Sequence, residues 1–320
     1  MSPQVRVTTP AKINLCLGVG PVRPDGYHPL ATVYQAVSLY DEVVLSPVDD
    51  HVRDEDRDRG VHVTVSGDGV DVDDVPADES NLAARAVRLL ARHAGRDLPT
   101  ALHLRKRIPV AGGLAGGSSD AAAALLGADL LFDLHTPRSD LLELAGELGS
   151  DVPFCLTGGT AMGAGRGERV TPVMTRGEYW WVIVPDVRGL STPDVYGEFD
   201  RLHAGRRTPP PEVPDALLSA LAGGDAERLG AALTNDLQPA ALSFRPDLDD
   251  LLRAGLDCSA LGALVSGSGP TTAFLCRSPG HAEHVGRALE GIADRAGLDL
   301  AAPIVVKGPV AGARVTGAHR

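Results

Sequence analysis

A chain of 320 residues with 43% apolar and 22% charged side chains can bury a sizeable core and is too apolar to stay disordered. Thirty Lys and Arg against forty-two Asp and Glu leave a net charge of −12, which excludes a nucleic-acid groove, because affinity for a phosphate backbone needs a basic surplus. No apolar run is long enough to span a membrane, no basic start with an apolar core marks a secretory signal, and Cys16, Cys155, Cys258 and Cys276 form no C-x-x-C pair; the expectation is a cytoplasmic protein with reduced thiols and neither nucleic-acid nor membrane partners.

Over residues 5–19, Val5, Val7, Ile13, Leu15, Leu17 and Val19 share one parity, and Arg6, Thr8, Lys12, Asn14 and Cys16 hold the other. This predicts a strand with one buried face. A period of two sets Lys12 and Asn14 side by side, roughly 7 Å apart, on the opposite face. Residues 23–28 (RPDGYH) read as a turn and 31–46 as strand again. Residues 49–60, with six acids and three arginines, read as a solvated loop. A helix is predicted from a Ser80 or Asn81 cap through Leu82, Ala86, Leu89 and Leu90, with Gly95 as its C′ residue.

A strand near 100–108 leads into PVAGGLAGGSSD (109–120), which opens directly into AAAALLGADLL. A second helix spans 138–148 and stops at Gly149, before Ser150-Asp151-Val152-Pro153. Past residue 165 the reading gives a strand at 181–185, an Arg/Pro-rich loop at 203–214 and two or three short helices. A strand to Val265, the turn 266–270 (SGSGP) and a strand through Cys276 follow. Last come a helix carrying Val285, Leu289, Ile292 and Ala296, and a strand near 303–310. Strands and helices mix without regular βαβ alternation, so the fold class is α+β, in two domains, 1–165 and 166–320.

The glycine loop is the strongest chemical signal. Glycines let backbone N–H groups approach a ligand, and the helix beyond presents unpaired donors and a partial positive charge. Together they make an anion site, and a run this long suits a polyphosphate. Ser118 and Ser119 could cap the helix or approach a magnesium ion. Gly112 to Gly117 has Walker spacing, but Ser118 stands where that motif requires lysine, and G-x-G-x-x-G is absent. The bland alternative is a flexible turn capped by serine.

Asp151, after a helix stop and before Val-Pro, reads as a helix cap or as a general base toward an alcohol, and the two are compatible. Only three of the thirty cations are lysines, Lys12, Lys106 and Lys307. Lys12 could extend to solvent, or pair with a carboxylate and stabilise a transferring phosphoryl group. Tyr27 and His28 could be surface residues or hold a planar base, and Tyr196 could fill core or stack. A second glycine-rich turn, Ser266 to Pro270, could close over a phosphorylated ligand. No metal-ligand spacing and no hydrolase elbow appears.

Four blocks taken together, PAKINLCL (10–17) with RPDGYH (23–28), IPVAGGLAGGSSDAAAAL (108–125), LGSDVPF (148–154) and SGSGPT (266–271), resemble the GHMP kinase superfamily. More closely, they resemble its branch acting on a cytidine diphosphate-linked polyol in non-mevalonate isoprenoid synthesis. The resemblance implies a nucleotide-binding N-terminal domain of ribosomal-protein-like fold, a ferredoxin-like α/β C-terminal domain, and an active site in the cleft between them. It implies ATP as phosphoryl donor with Mg²⁺, and a small-molecule alcohol as acceptor.

Carried over by position, Lys12 and Asp151 are the catalytic pair. Pro109, Val110, Ala111, Gly112, Gly113, Leu114, Ala115, Gly116, Gly117, Ser118 and Ser119 form the ATP loop. Asn14, Tyr27, His28 and Tyr196 hold the cytidine part. The family often has glycine where this chain has Ala111 and Ala115, and asparagine where it has Asp120. Alanine still permits N–H donation while φ stays negative; Asp120 is unfavourable beside phosphate unless Mg²⁺ intervenes. Metal ligands and oligomeric state stay open. The alternatives are a GHMP kinase for homoserine, mevalonate or a sugar, and a catalytically silent nucleotide-binding protein.

Overall fold

The computed structural model describes residues 3–48, 60–110, 112–186, 188–205, 209–296 and 300–319. The acidic segment 49–59 and Ala111 lie outside the described residues. Strand β1 (Gln4–Val19) pairs antiparallel with β2 (Leu30–Pro47) from Val5↔Leu45 to Val19↔Leu30, with register shifts after Pro10 and after Asn14. The predicted parity is present, but the opposite face is not open. Residues 9–17 are buried on both faces, because β1 runs between two cores. Val5 and Val7 pack with the first helices, whereas Ala11, Ile13 and Leu15 pack against Tyr179, Trp181 and Ile183 from the second half of the chain.

Helix α1 (Leu82–Ala94) forms as its caps dictate. Asn81 Oδ1 accepts from the Ala83 N–H at 2.9 Å, and Gly95 closes the helix at φ 65°. Strands β3 (Val61–Gly67) and β4 (Thr100–Lys106) flank it, and α2 (Gly116–Leu131) follows the glycine loop. Helix α2 is buried along most of its length by a run of alanines, which lets it press against both α1 and β1. Then come α3 (Arg138–Leu148), the short α4 (Val152–Thr157), and strands β5 (Thr160–Gly165) and β6 (Arg169–Pro172).

The second half opens with β7 (Tyr179–Val184) and α5 (Thr192–His203). The expected two or three short helices are four among the described residues: α6 (Asp215–Gly223), α7 (Ala226–Ala232), α8 (Gln238–Phe244) and α9 (Asp247–Asp257). Strand β8 (Thr234–Asn235) interrupts them; β9 (Gly262–Val265), β10 (Thr272–Cys276), α10 (Pro279–Ala296), β11 (Ile304–Gly308) and β12 (Arg314–His319) complete the order.

Among the described residues one sheet has eight strands. Its path is β12-β1-β2-β4-β3, with β5 on β2, β6 on β5 and β8 on β1. The other runs β11-β7-β10-β9 and is antiparallel throughout. Strand β12 returns the end of the chain to β1, pairing Gln4 with His319. One apolar core lies between the two sheets, and another joins the second sheet to α5, α8, α9 and α10.

Candidate active site

A cavity of about 1030 Å³ is lined by the glycine loop, the middle of β1, the 22–30 turn, the start of α5 and the 267–269 turn. Its centre is Lys12. The ammonium donates to Asn14 Oδ1 at 2.8 Å and stands 3.6 Å from Asp151 Oδ2. Asn14 Nδ2 donates to Thr32 Oγ1 (2.8 Å), which donates to the Cys16 carbonyl (2.7 Å). That relay fixes the amide with its oxygen toward the lysine. The lysine side chain is only 6% exposed, so it faces the carboxylate and does not extend to solvent.

Asp151 occupies the cap position of α4, yet its side chain makes no capping hydrogen bond. Pro153, at the second helical position, has no N–H to offer a cap, and the Asp151 backbone is already helical (φ −88°, ψ −15°). The capping expectation therefore fails, and the carboxylate is left for the cavity. Tyr34 and Tyr196 stay neutral beside it: burial first, then the Asp151 charge, pushes each phenol well above its ordinary range. The Cys155 thiol, pushed up to about 12 chiefly by burial, is no nucleophile.

The glycine loop closes against the second glycine turn. Gly113 has φ +74°, and a Cβ there would run into the Ser266 carbonyl oxygen. Ser266 Oγ donates to the Gly113 carbonyl at 3.3 Å. Helix α2 starts with no side-chain cap, which leaves its first N–H groups for an anion.

Three expectations change here. Ala115 does not keep a negative φ: it is left-handed at +61°, a conformation that costs an L-residue roughly 1–2 kcal/mol. Ser119 neither caps α2 nor faces the cavity; its hydroxyl, fully buried, donates to the Pro10 carbonyl (2.7 Å) and lies 3.3 Å from Cys155 Sγ. The Leu114 side chain lies in the core, and the residue serves the site through its carbonyl, which accepts from the Lys12 N–H at 3.1 Å. Pro109, Val110, Gly112, Gly113, Ala115, Gly116, Gly117 and Ser118 do line the cavity.

Asp120 is not an isolated charge beside the loop. Lys106, at the end of β4, reaches Asp120 Oδ2 at 2.6 Å and pairs also with Asp41. Asp41 Oδ1 takes the Arg107 and Ile108 N–H groups as well. Burial pushes the Asp120 carboxyl up to about 7, the Lys106 ammonium opposing and the Asp41 charge adding. Burial likewise works against the Lys106 charge, but the two carboxylates outweigh it and raise its pKa. The Lys106 ammonium lies 3.3 Å from where a Gly116 Cβ would stand, so a lysine from the preceding strand underlies the loop that lacks one.

The far end of the cavity is aromatic. His28 Nδ1 lies 2.8 Å from the Gly20 carbonyl, its Nε2 3.5 Å from Asp200 Oδ2, and its ring 5.0 Å from that of Tyr196 at 32°. Tyr27 is 52% exposed, with the Arg166 guanidinium 4.9 Å from its ring centroid. Tyr27, His28, Arg166, Tyr196 and Asp200 line the cavity. The structure thus brings Lys12, Asn14, Tyr27, His28, Asp151 and Tyr196 to one space.

Comparison with known proteins places the chain in a family. Residues 81–159 fit the GHMP kinases N terminal domain and 217–293 the GHMP kinases C terminal family. The chain is 54% identical, over 97% of its length and 98% of the relative's, to the 4-diphosphocytidyl-2-C-methyl-D-erythritol kinase of Thermobifida fusca (strain YX). It is 51% identical, over 96% and 98%, to that of Nocardioides sp. (strain ATCC BAA-499 / JS614). A crystal structure of 4-(cytidine 5'-diphospho)-2C-methyl-D-erythritol kinase superposes with a TM-score of 0.73 at 33% identity, covering 95% of this chain and 99% of that one. The chain belongs to the 4-diphosphocytidyl-2-C-methyl-D-erythritol kinase family of GHMP kinases. Homoserine kinase from Cytophaga hutchinsonii superposes equally well (TM-score 0.73) at 21% identity, so the fold is common to kinases of different names.

Sequence reasoning missed several residues of this kinase's cavity. Tyr34 and Asp200 carry no motif; each is placed by pairing or helix geometry that only the fold supplies. Arg166 lies in the glycine-rich β5–β6 hairpin, which no periodicity announced. Lys106 had one available signal, its rarity as a lysine.

Proposed function

We propose that the protein transfers the γ-phosphoryl group of ATP to the 2-hydroxyl of 4-diphosphocytidyl-2-C-methyl-D-erythritol. The observation that carries the reading is one cavity holding three parts. These are an amide-lined phosphate loop, a lysine–carboxylate pair at its centre, and an aromatic end with His28. The nucleotide phosphates lie on the loop and the N-terminus of α2, with the adenine against the apolar wall near Val75, Leu82, Ile108 and Val110. The cytosine occupies the end with Tyr27, His28 and Tyr196, and the diphosphate passes Arg166. Asn14 holds Lys12 in place.

In the transfer, Asp151 accepts the hydroxyl proton, the acceptor oxygen bonds to the γ-phosphorus, the γ-phosphorus–bridging-oxygen bond breaks, and ADP leaves. Phosphoryl transfer asks chiefly for positioning and for charge stabilisation, which Lys12 and the loop amides supply.

Magnesium fits as a companion of the nucleotide. It prefers oxygen donors, with phosphates and waters completing its shell, and among the described residues no three His, Cys, Asp or Glu side chains converge. Ser118 lines the cavity, and the buried Oδ1 of Asp120 has no hydrogen-bond partner; these two oxygens would hold it. The bound ion would neutralise charge on the transferring phosphoryl group. The test is turnover of purified protein with ATP and the diphosphocytidyl substrate, read as ADP release and a product one phosphate heavier. ATP consumption indifferent to that substrate, or transfer to homoserine or mevalonate instead, would refute the reading.

A further inference from the structure

Asp151 makes no capping hydrogen bond with α4. Lys12, 3.6 Å from its Oδ2, is an ionic neighbour too distant to fix its direction. A general base needs that direction, because a small misplacement of the proton acceptor costs rate steeply. One group in the cavity wall can supply it. Tyr34 lines the cavity together with Asp151, and its hydroxyl lies within hydrogen-bonding reach of the Asp151 carboxylate. Burial, reinforced by the Asp151 charge, keeps the phenol protonated. A carboxylate only accepts, so the tyrosine is the donor. The ring cannot swing away, being 2% exposed. It projects from β2, paired with Asn14 of β1 and Ala161 of β5. Phe154 packs on it at 4.9 Å, and the Lys12 ammonium stands 5.8 Å from its centroid. Gly167, at φ +105°, makes room for the hydroxyl, since a Cβ there would run into the Tyr34 oxygen.

We propose that Tyr34 is a positioning residue for phosphoryl transfer, its hydroxyl donating to the Asp151 carboxylate and aiming it at the acceptor alcohol. The proposal rests on the reading of Asp151 as the proton acceptor. A base oriented by a third group is the general arrangement for activating a nucleophile. A hydrogen bond to a charged acceptor is the stronger kind, so a single donor is enough to hold the side chain. The carboxylate offers about four lone-pair sites on two oxygens, and one donor leaves room for the proton of the incoming hydroxyl. Tyr34 touches none of the reacting atoms; it acts through Asp151. The competing account is that Tyr34 only fills core beside Ala36, Phe154 and Ala161. In that case the ring matters and the hydroxyl does not.

The experiment compares the wild type, Tyr34→Phe, Asp151→Asn and the double variant in steady-state and single-turnover transfer from ATP to the diphosphocytidyl substrate, with melting temperatures as a fold check. Phenylalanine keeps the ring against Phe154 and near Lys12 and removes only the hydroxyl, so the variant should fold. Tyr34→Phe should lower kcat roughly 10- to 100-fold, the size of one hydrogen bond to a charged group, with KM for both substrates within about threefold. In the Asp151→Asn background the same change should lower the rate by no more than about threefold, because the base it aims is gone. A Tyr34→Phe kcat within about threefold of the wild type, a raised KM at unchanged kcat, or an equal loss in both backgrounds would overturn the proposal while leaving Asp151 as the base. An Asp151→Asn variant as active as the wild type would overturn the reading of Asp151 and the proposal together.

Discussion

Replacing Asp151 by asparagine removes the proton acceptor and almost nothing else. The carboxylate makes no capping hydrogen bond with α4, and its ionic contact is Lys12 at 3.6 Å. Coulomb's law at that distance gives about 4–5 kcal/mol for an effective dielectric near 20. The Asp151 side chain is 29% exposed, however, and Asn14 still accepts from Lys12 at 2.8 Å in its absence. Solvent and that second partner reduce the folding cost to about 1–2 kcal/mol. The barrier is affected more. Loss of a positioned general base lowers turnover roughly 10²–10⁴-fold, about 3–5 kcal/mol. The assay is steady-state and single-turnover phosphoryl transfer beside a urea unfolding curve. Expected are a kcat at least about a hundredfold lower, KM for both substrates within about threefold, and a small stability loss. A kcat within tenfold of the wild type, or a loss of activity that follows unfolding, would refute the role given to Asp151.

Other perturbations follow from the same geometry. Gly113→Ala places a Cβ against the Ser266 carbonyl in a left-handed backbone; it should displace the loop and raise KM for ATP about tenfold or more, measured by ATP titration. Tyr196→Ala removes a stacking surface worth about 1–3 kcal/mol per base, so KM for the cytidine substrate should rise roughly 5- to 150-fold with KM for ATP unchanged. Asp120→Asn tests the buried triad. The native carboxyl keeps its proton up to about pH 7, whereas an unfolded aspartate loses it near pH 4. The native state therefore binds more protons in that window, and stability falls as pH rises through it. Urea midpoints from about pH 5 to about pH 8 should decline less in the asparagine variant; parallel profiles would contradict the assignment.

How much of this was legible in the sequence depends on how local each cause is. The cap of α1 at Asn81 and its stop at Gly95 are short-range signals, and both are realised. The parity of β1 set Lys12 beside Asn14, and the two are hydrogen-bonded. The same parity suggested an open face, because the sequence of a strand does not say that a second core will cover it. Strand β12 pairs with residues more than 300 positions away, and its short exposed sequence carries no apolar period to announce it. The side-chain role of Asp151 was ambiguous for a related reason. Its position is that of a cap, and only the proline at the second helical position, together with a lysine from another strand, turns the carboxylate away. The left-handed Ala115 shows the limit of composition, since alanine there fits no propensity and is imposed by the tight entry to α2.

In the proposed transfer the acceptor alcohol meets Asp151 while the triphosphate lies on the glycine loop. It is tested most directly by a crystal structure with a non-hydrolysable ATP analogue and the diphosphocytidyl substrate bound together. The acceptor oxygen should lie within hydrogen-bonding distance of the Asp151 carboxylate, and the γ-phosphate at the N-terminus of α2. A triphosphate bound away from residues 109–118, or an acceptor oxygen out of reach of Asp151, would contradict it.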